Sequence, residues 1–132
     1  MDYKSKKILI VEDEADIRGV LADSLREQFT VSEGGDGEEG LALALKEHPD
    51  LILLDVLMPK MSGTQMLQKL REDTAWGLNV PVIMLTNFSA TDEDIIRKVA
   101  ELKPLYYFVK SEWEIDDLLL KVKEVFDNMT TA

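Results

Sequence analysis

Five short apolar runs, each followed by a stretch of helical periodicity, limit this chain to very few folds. They occupy residues 7–11, 29–33, 51–54, 80–85 and 105–109. Residues 51–54 (Leu-Ile-Leu-Leu) are unbroken rather than alternating, which predicts a strand covered on both faces in a parallel sheet. Residues 29–33 alternate apolar and polar, as an edge strand does. After the first run, Ile17, Val20, Leu21 and Leu25 recur at helical spacing over about residues 14–28. Asp36, beyond a glycine pair, is placed to cap a helix reaching about Glu47, which His48-Pro49-Asp50 closes because a residue before proline leaves the α region. Ser62-Gly63 leads into a helix bearing Met66, Leu67 and Leu70. Residues 72–79 read as a polar connection with Trp76 as a lid. A helix with Ile95, Ile96 and Val99 stops at Pro104. Ser111-Glu112-Trp113-Glu114 reads as a capping box that starts the last helix, whose buried face is Ile115, Leu118, Leu119, Val122, Val125 and Phe126. Strand–helix alternation repeated five times makes a doubly wound α/β domain with helices on both faces of a parallel sheet.

At 132 residues one domain is the expectation, spanning 1–132 with its core at about 7–127. There are no cysteines, which excludes disulfides and thiolate metal sites. No run approaches the roughly 20 apolar residues of a membrane helix, and the first residues lack a signal-peptide core. A cytoplasmic protein without a membrane partner is expected. The formal charge of −11 opposes direct nucleic-acid binding, since a phosphate backbone needs a basic surface.

Four of the five runs end in residues with chemistry: Glu12 and Asp13, Asp55, Thr86, and Lys110. In a parallel sheet these ends share one edge, where open α/β sheets bind ligands. Three carboxylates there repel one another and suit a hard cation such as Mg2+. Lys110 adds a charge able to pair with a carboxylate or phosphate, and Thr86 adds a hydroxyl. Taken singly, Asp55 could cap a turn, Lys110 could balance surface acids, and Glu12-Asp13 could start a helix electrostatically. Together at successive strand ends they point to phosphoryl transfer, where catalysis is mostly positioning and charge neutralisation.

With Glu12-Asp13 after the first strand, Asp55 and Met58-Pro59-Lys60-Met61-Ser62-Gly63 after the third, Thr86 after the fourth, and Tyr107 and Lys110 around the fifth, the chain closely resembles the receiver domain of two-component response regulators. The resemblance covers about residues 7–127. It implies a flavodoxin-like (βα)5 sheet of order 2-1-3-4-5 and a phosphoprotein of phosphorelay signalling rather than an enzyme in the ordinary sense. It implies that Asp55 takes a phosphoryl group from a sensor histidine kinase or phosphotransfer protein. Mg2+ (or Mn2+) would be held by Asp13, Asp55 and the Leu57 backbone carbonyl, with Glu12 acting through a metal-bound water. Lys110 would pair with the phosphate, and Thr86 and Tyr107 would switch together. That switch would alter the face of the fourth helix, fifth strand and fifth helix toward a downstream protein or a homodimer partner. The positions flanking the path of hydrolytic water are Leu57 and Phe88, neither able to hold a water, so a long-lived phosphate is expected.

Three positions depart from the family pattern. Ser111 stands where a proline is usual, and a trans Lys110–Ser111 bond is expected because a cis bond without proline costs roughly 3 kcal/mol. Asn87 stands where Ala or Gly is usual, so narrower access to Asp55 is expected. Glu101-Leu102-Lys103-Pro104 replaces a Gly-Ala turn. Two other chemistries compare poorly. A haloacid-dehalogenase-type phosphatase needs a second Asp where Leu57 stands, and a flavin-type phosphate loop would meet repulsion from Glu12-Asp13-Glu14.

Overall fold

The computed structural model describes residues 3–73, 75–86, 93–110 and 114–130, with residues 73, 94–96 and 130 described by backbone alone. Its elements run β1 (Lys7–Val11), α1 (Ala15–Arg26), β2 (Thr30–Gly34), α2 (Gly37–Glu47), β3 (Leu51–Asp55), α3 (Gly63–Asp73), α4 (Ala75–Asn79), β4 (Val82–Thr86), α5 (Glu93–Glu101), β5 (Tyr106–Val109) and α6 (Ile115–Thr130). The sheet is parallel, in the order β2-β1-β3-β4-β5. The flavodoxin-like order expected from the sequence is therefore present, with β2 and β5 at the edges.

Period-two alternation divides the strand side chains between two cores. Leu9, Val11, Ile52, Leu54, Val82 and Met84 face α2, α3 and α5 through Ala44, Met66, Leu67, Leu70, Val99 and Leu102. Ile8, Ile10, Leu51, Leu53, Ile83 and Leu85 face α1 and α6 through Leu21, Ala22, Leu25, Leu118, Val122 and Phe126. β3 and β4 are buried along their whole length, which is why their runs are unbroken.

Two expectations need correction. Residues 72–79 are not all connection, because Ala75–Asn79 forms the short α4, so the family's fourth and fifth helices are α5 and α6 here. Trp76 in α4 stacks on His48 with ring centroids 4.3 Å apart and packs against the α2–α3 core. Val20 is 59% exposed rather than buried, and Ala22 takes the core position on α1.

The caps explain several boundaries. The Asp36 side chain accepts from the Glu39 N–H at 2.8 Å, and His48 closes α2 in the left-handed region at φ 48°. Ser62 and Gln65 exchange side-chain bonds at the start of α3. At the start of α6 the Asp117 carboxylate accepts from the Glu114 N–H at 3.0 Å. Ser111 to Trp113, and with them the capping box and the Lys110–Ser111 bond, lie outside the described residues.

Candidate functional site at the carboxyl edge of the sheet

β1 and β3 are adjacent, with Val11 level with Leu54, so the residues that follow each strand emerge side by side. Glu12 continues the β1 path through a bond from its N–H to the Gly34 carbonyl at 3.1 Å. Asp55 is the last residue of β3. Gly63 returns close beneath it: its N–H donates to the Val56 carbonyl at 2.8 Å. A Cβ on Gly63 would stand 1.9 Å from the Asp55 carbonyl oxygen. The glycine in the sequence motif is thus required by backbone contact with the residue whose side chain it helps to place.

Glu12, Asp13 and Asp55 each bring a carboxylate oxygen to within 4.8 Å of the others. Glu12 is fully buried and Asp55 is 5% exposed. Lys110, at the end of β5, forms an ion pair with Glu12 Oε1 and lies 3.5 Å from Asp55 Oδ2. Glu12 Oε2 is buried with no hydrogen-bond partner among the described residues. An orphaned buried carboxylate oxygen is costly unless a cation or donor meets it.

The electrostatics follow from this crowding. Burial, then the hydrogen bond and charge of Glu12, then the charge of Asp13 push the Asp55 carboxyl up to about 8, with Lys110 pulling the other way. For Lys110, burial lowers the ammonium's affinity for its proton, but Glu12 and Asp55 outweigh it and hold the group above the ordinary lysine value. An all-oxygen donor set with excess negative charge fits a hard divalent cation.

Thr86 ends β4, fully buried and level with Val109. Tyr107 lies level with Met84 on the same sheet face as Thr86 and packs against the α2–α3–α5 core. A cavity of about 330 Å3 lined by Val99, Ala100, Lys103, Pro104, Leu105 and Tyr106 adjoins it. Leu57 is 46% exposed. Asn87 and Phe88 fall outside the described residues. The turn that replaces Gly-Ala before β5 is built with Lys103 in the left-handed region at φ 53°.

Residues 8–123 match the family of response regulator receiver domains. The chain belongs to that family. It is similar to the probable transcriptional regulator ycf27 of Pyropia yezoensis, at 42% identity, over all of this chain and 53% of that protein. The N-terminal domain of an uncharacterized protein from Wolinella succinogenes superposes at TM-score 0.86 with 31% identity, covering 96% of this chain and 98% of that one. The receiver domain of the Francisella response regulator 1452 superposes at TM-score 0.82 with 26% identity, covering 95% and 99%. The chain spans about a third to a half of the length of the curated relatives it matches. Among the described residues no helix is long and apolar enough to cross a membrane.

Two arginines of this receiver domain escape a reading of the sequence. Arg71 in α3 donates to the carbonyls of Leu102, Gly77 and Val80 at 3.1, 2.8 and 2.7 Å, joining α3, α4 and the turn before β5. Arg18 in α1 donates to the Glu12 carbonyl. The available signal is spacing: Arg71 follows Leu67 by four, and Arg18 precedes Ala22 by four, so both lie on buried stripes.

Proposed function

We propose that Asp55 is the phosphoacceptor of this receiver domain, within a single functional unit whose core is about residues 7–127. The observation that carries this is the Asp55 carboxylate at the end of β3, nearly buried, 3.5 Å from Lys110 and converging with Glu12 and Asp13. In the reaction, an Asp55 oxygen forms a P–O bond as the P–N bond of a phosphohistidine breaks, with imidazole leaving. The donor is a sensor histidine kinase or phosphotransfer protein.

Glu12, Asp13, Asp55 and the Leu57 backbone carbonyl are the residues that would hold Mg2+ or Mn2+, with Glu12 acting through water. Such a cation supplies charge neutralisation for the nucleophile and the incoming phosphoryl oxygens. Without it the Asp55 carboxyl, at about 8, is largely protonated at neutral pH and a poor nucleophile. Lys110 holds a positive charge where the transferred phosphate arrives. Thr86 bonds that phosphate, and Tyr107 repacks beside the 330 Å3 cavity on the α5–β5 face. The α5–β5–α6 face then engages a downstream protein or a second copy. The chain is a signalling acceptor that assists its own phosphorylation and does not act on a separate substrate. The acidic surface argues against direct nucleic-acid binding, and a cytoplasmic setting follows from the kinase donor.

Titrating Mg2+ into EDTA-treated protein with acetyl phosphate tests this. Phosphoprotein should form only as Mg2+ rises and should be absent in Asp55→Asn. Equal labelling in EDTA, or in that variant, would sink the assignment.

A further inference from the structure

The loop carrying Glu12 and Asp13 is fastened from outside the cluster. The N-cap of α1, Glu14, makes no side-chain cap bond, whereas Asp36 caps α2 in the usual way. A side-chain cap satisfies a first-turn N–H, and Glu14 provides none. Arg18 instead reaches back to the residues ahead of the helix. Its Nη1 donates to the Glu12 carbonyl oxygen at 2.7 Å, back across six residues and outside the helix ladder. Its Nε lies 3.5 Å from Glu33 Oε1 on β2, and Glu33 Oε2 accepts from Arg26 Nη2 at 2.7 Å. The Glu12 N–H is held on the other side by the Gly34 carbonyl. The guanidinium lies close to Gly35, where a Cβ would stand 3.3 Å from Nη1.

The Glu12 carbonyl shares a peptide plane with the Asp13 nitrogen, so rotating that plane swings the Asp13 side chain. We infer that Arg18 is a positioning residue for the metal carboxylates. It holds the Glu12–Asp13 peptide in one orientation, steadied by Glu33, so that Asp13 already faces Asp55 when a divalent cation arrives. This rests on the reading of the cluster as a Mg2+ site. Arginine suits the task because its planar fork reaches two acceptors at fixed geometry, as a lysine cannot.

The test is calorimetric Mg2+ affinity of the full metal-free chain, well below its unfolding temperature, for wild type, Arg18→Met, Arg18→Lys and Glu33→Gln. Metal-free melting temperatures are measured alongside. Partners that orient metal ligands are worth about 10–100-fold in metal affinity. The expected result is about tenfold weaker binding in Arg18→Met, with smaller losses in Arg18→Lys and Glu33→Gln. Lower melting temperatures with unchanged Mg2+ affinity would overturn the positioning role and leave the metal reading standing. No uptake by wild type would overturn both. If Arg18→Met does not fold, unchanged affinity in the other two variants overturns the proposal.

Discussion

Replacing Asp55 by Asn should stabilise the metal-free protein at neutral pH, although it removes the proposed reactive group. The folded-state carboxyl is raised from 3.8 to about 8, chiefly by burial and then by Glu12. A raised pKa means that the contribution of this group to stability is fully present below about pH 4. It declines as pH climbs and is lost as pH passes about 8. At pH 7 the interval above the unfolded value is roughly three pH units, which at about 1.4 kcal/mol each gives a ceiling of about 4 kcal/mol. Asn is nearly isosteric and does not titrate, so it escapes this penalty. For a chain of this size about 1 kcal/mol moves Tm by roughly 3 °C, so Asp55→Asn should melt up to about 12 °C higher at pH 7 in EDTA. The difference should shrink steadily as pH falls toward 4. It should also shrink at pH 7 when Mg2+ is added, because a bound cation removes the cost of ionising Asp55. The assay is thermal unfolding by circular dichroism across pH, with and without Mg2+. Equal Tm values at pH 7 in EDTA, or a difference independent of pH, would refute the account of the site's electrostatics.

Gly63→Ala places a Cβ against the Asp55 carbonyl; the backbone must move, costing about 3 kcal/mol in denaturant unfolding and slowing phosphorylation of Asp55. Arg71→Met removes the donor shared by the carbonyls of Leu102, Gly77 and Val80, and should cost about 3 kcal/mol by the same measurement, with Mg2+ affinity unchanged. On the proposal that positions 57 and 88 flank the water path, Leu57→Asn should speed loss of radiolabelled phosphate roughly tenfold, as should Phe88→Glu. If neither speeds it, the apolar flank does not set the lifetime.

The strands were legible because burial on both faces leaves an unbroken apolar run, and Asp55 was legible because that run stops abruptly at a carboxylate. The convergence of Glu12, Asp13, Asp55 and Lys110 also followed, since a parallel sheet sends every strand end to one edge. The particular pairing did not: Lys110 bonds Glu12 across 98 residues and lies farther from Asp55, a choice of side-chain geometry that periodicity does not encode. Short α4 was missed because five residues containing Gly77 carry no repeat to detect. Val20 keeps the helical spacing yet is exposed, because spacing alone does not say where the apolar stripe ends. Arg18 and Arg71 were missed because an arginine on an amphipathic helix reads as solvent-facing, while here each satisfies backbone carbonyls at an element end.

The central claim is that one carboxylate, Asp55, receives the phosphoryl group. Phosphorylated protein reduced with tritiated borohydride converts an aspartyl phosphate to labelled homoserine, which peptide sequencing then locates. Label at position 55 alone, absent when Mg2+ is withheld, is the predicted result. Label at Asp13, Glu12 or another carboxylate, or label independent of Mg2+, would contradict it.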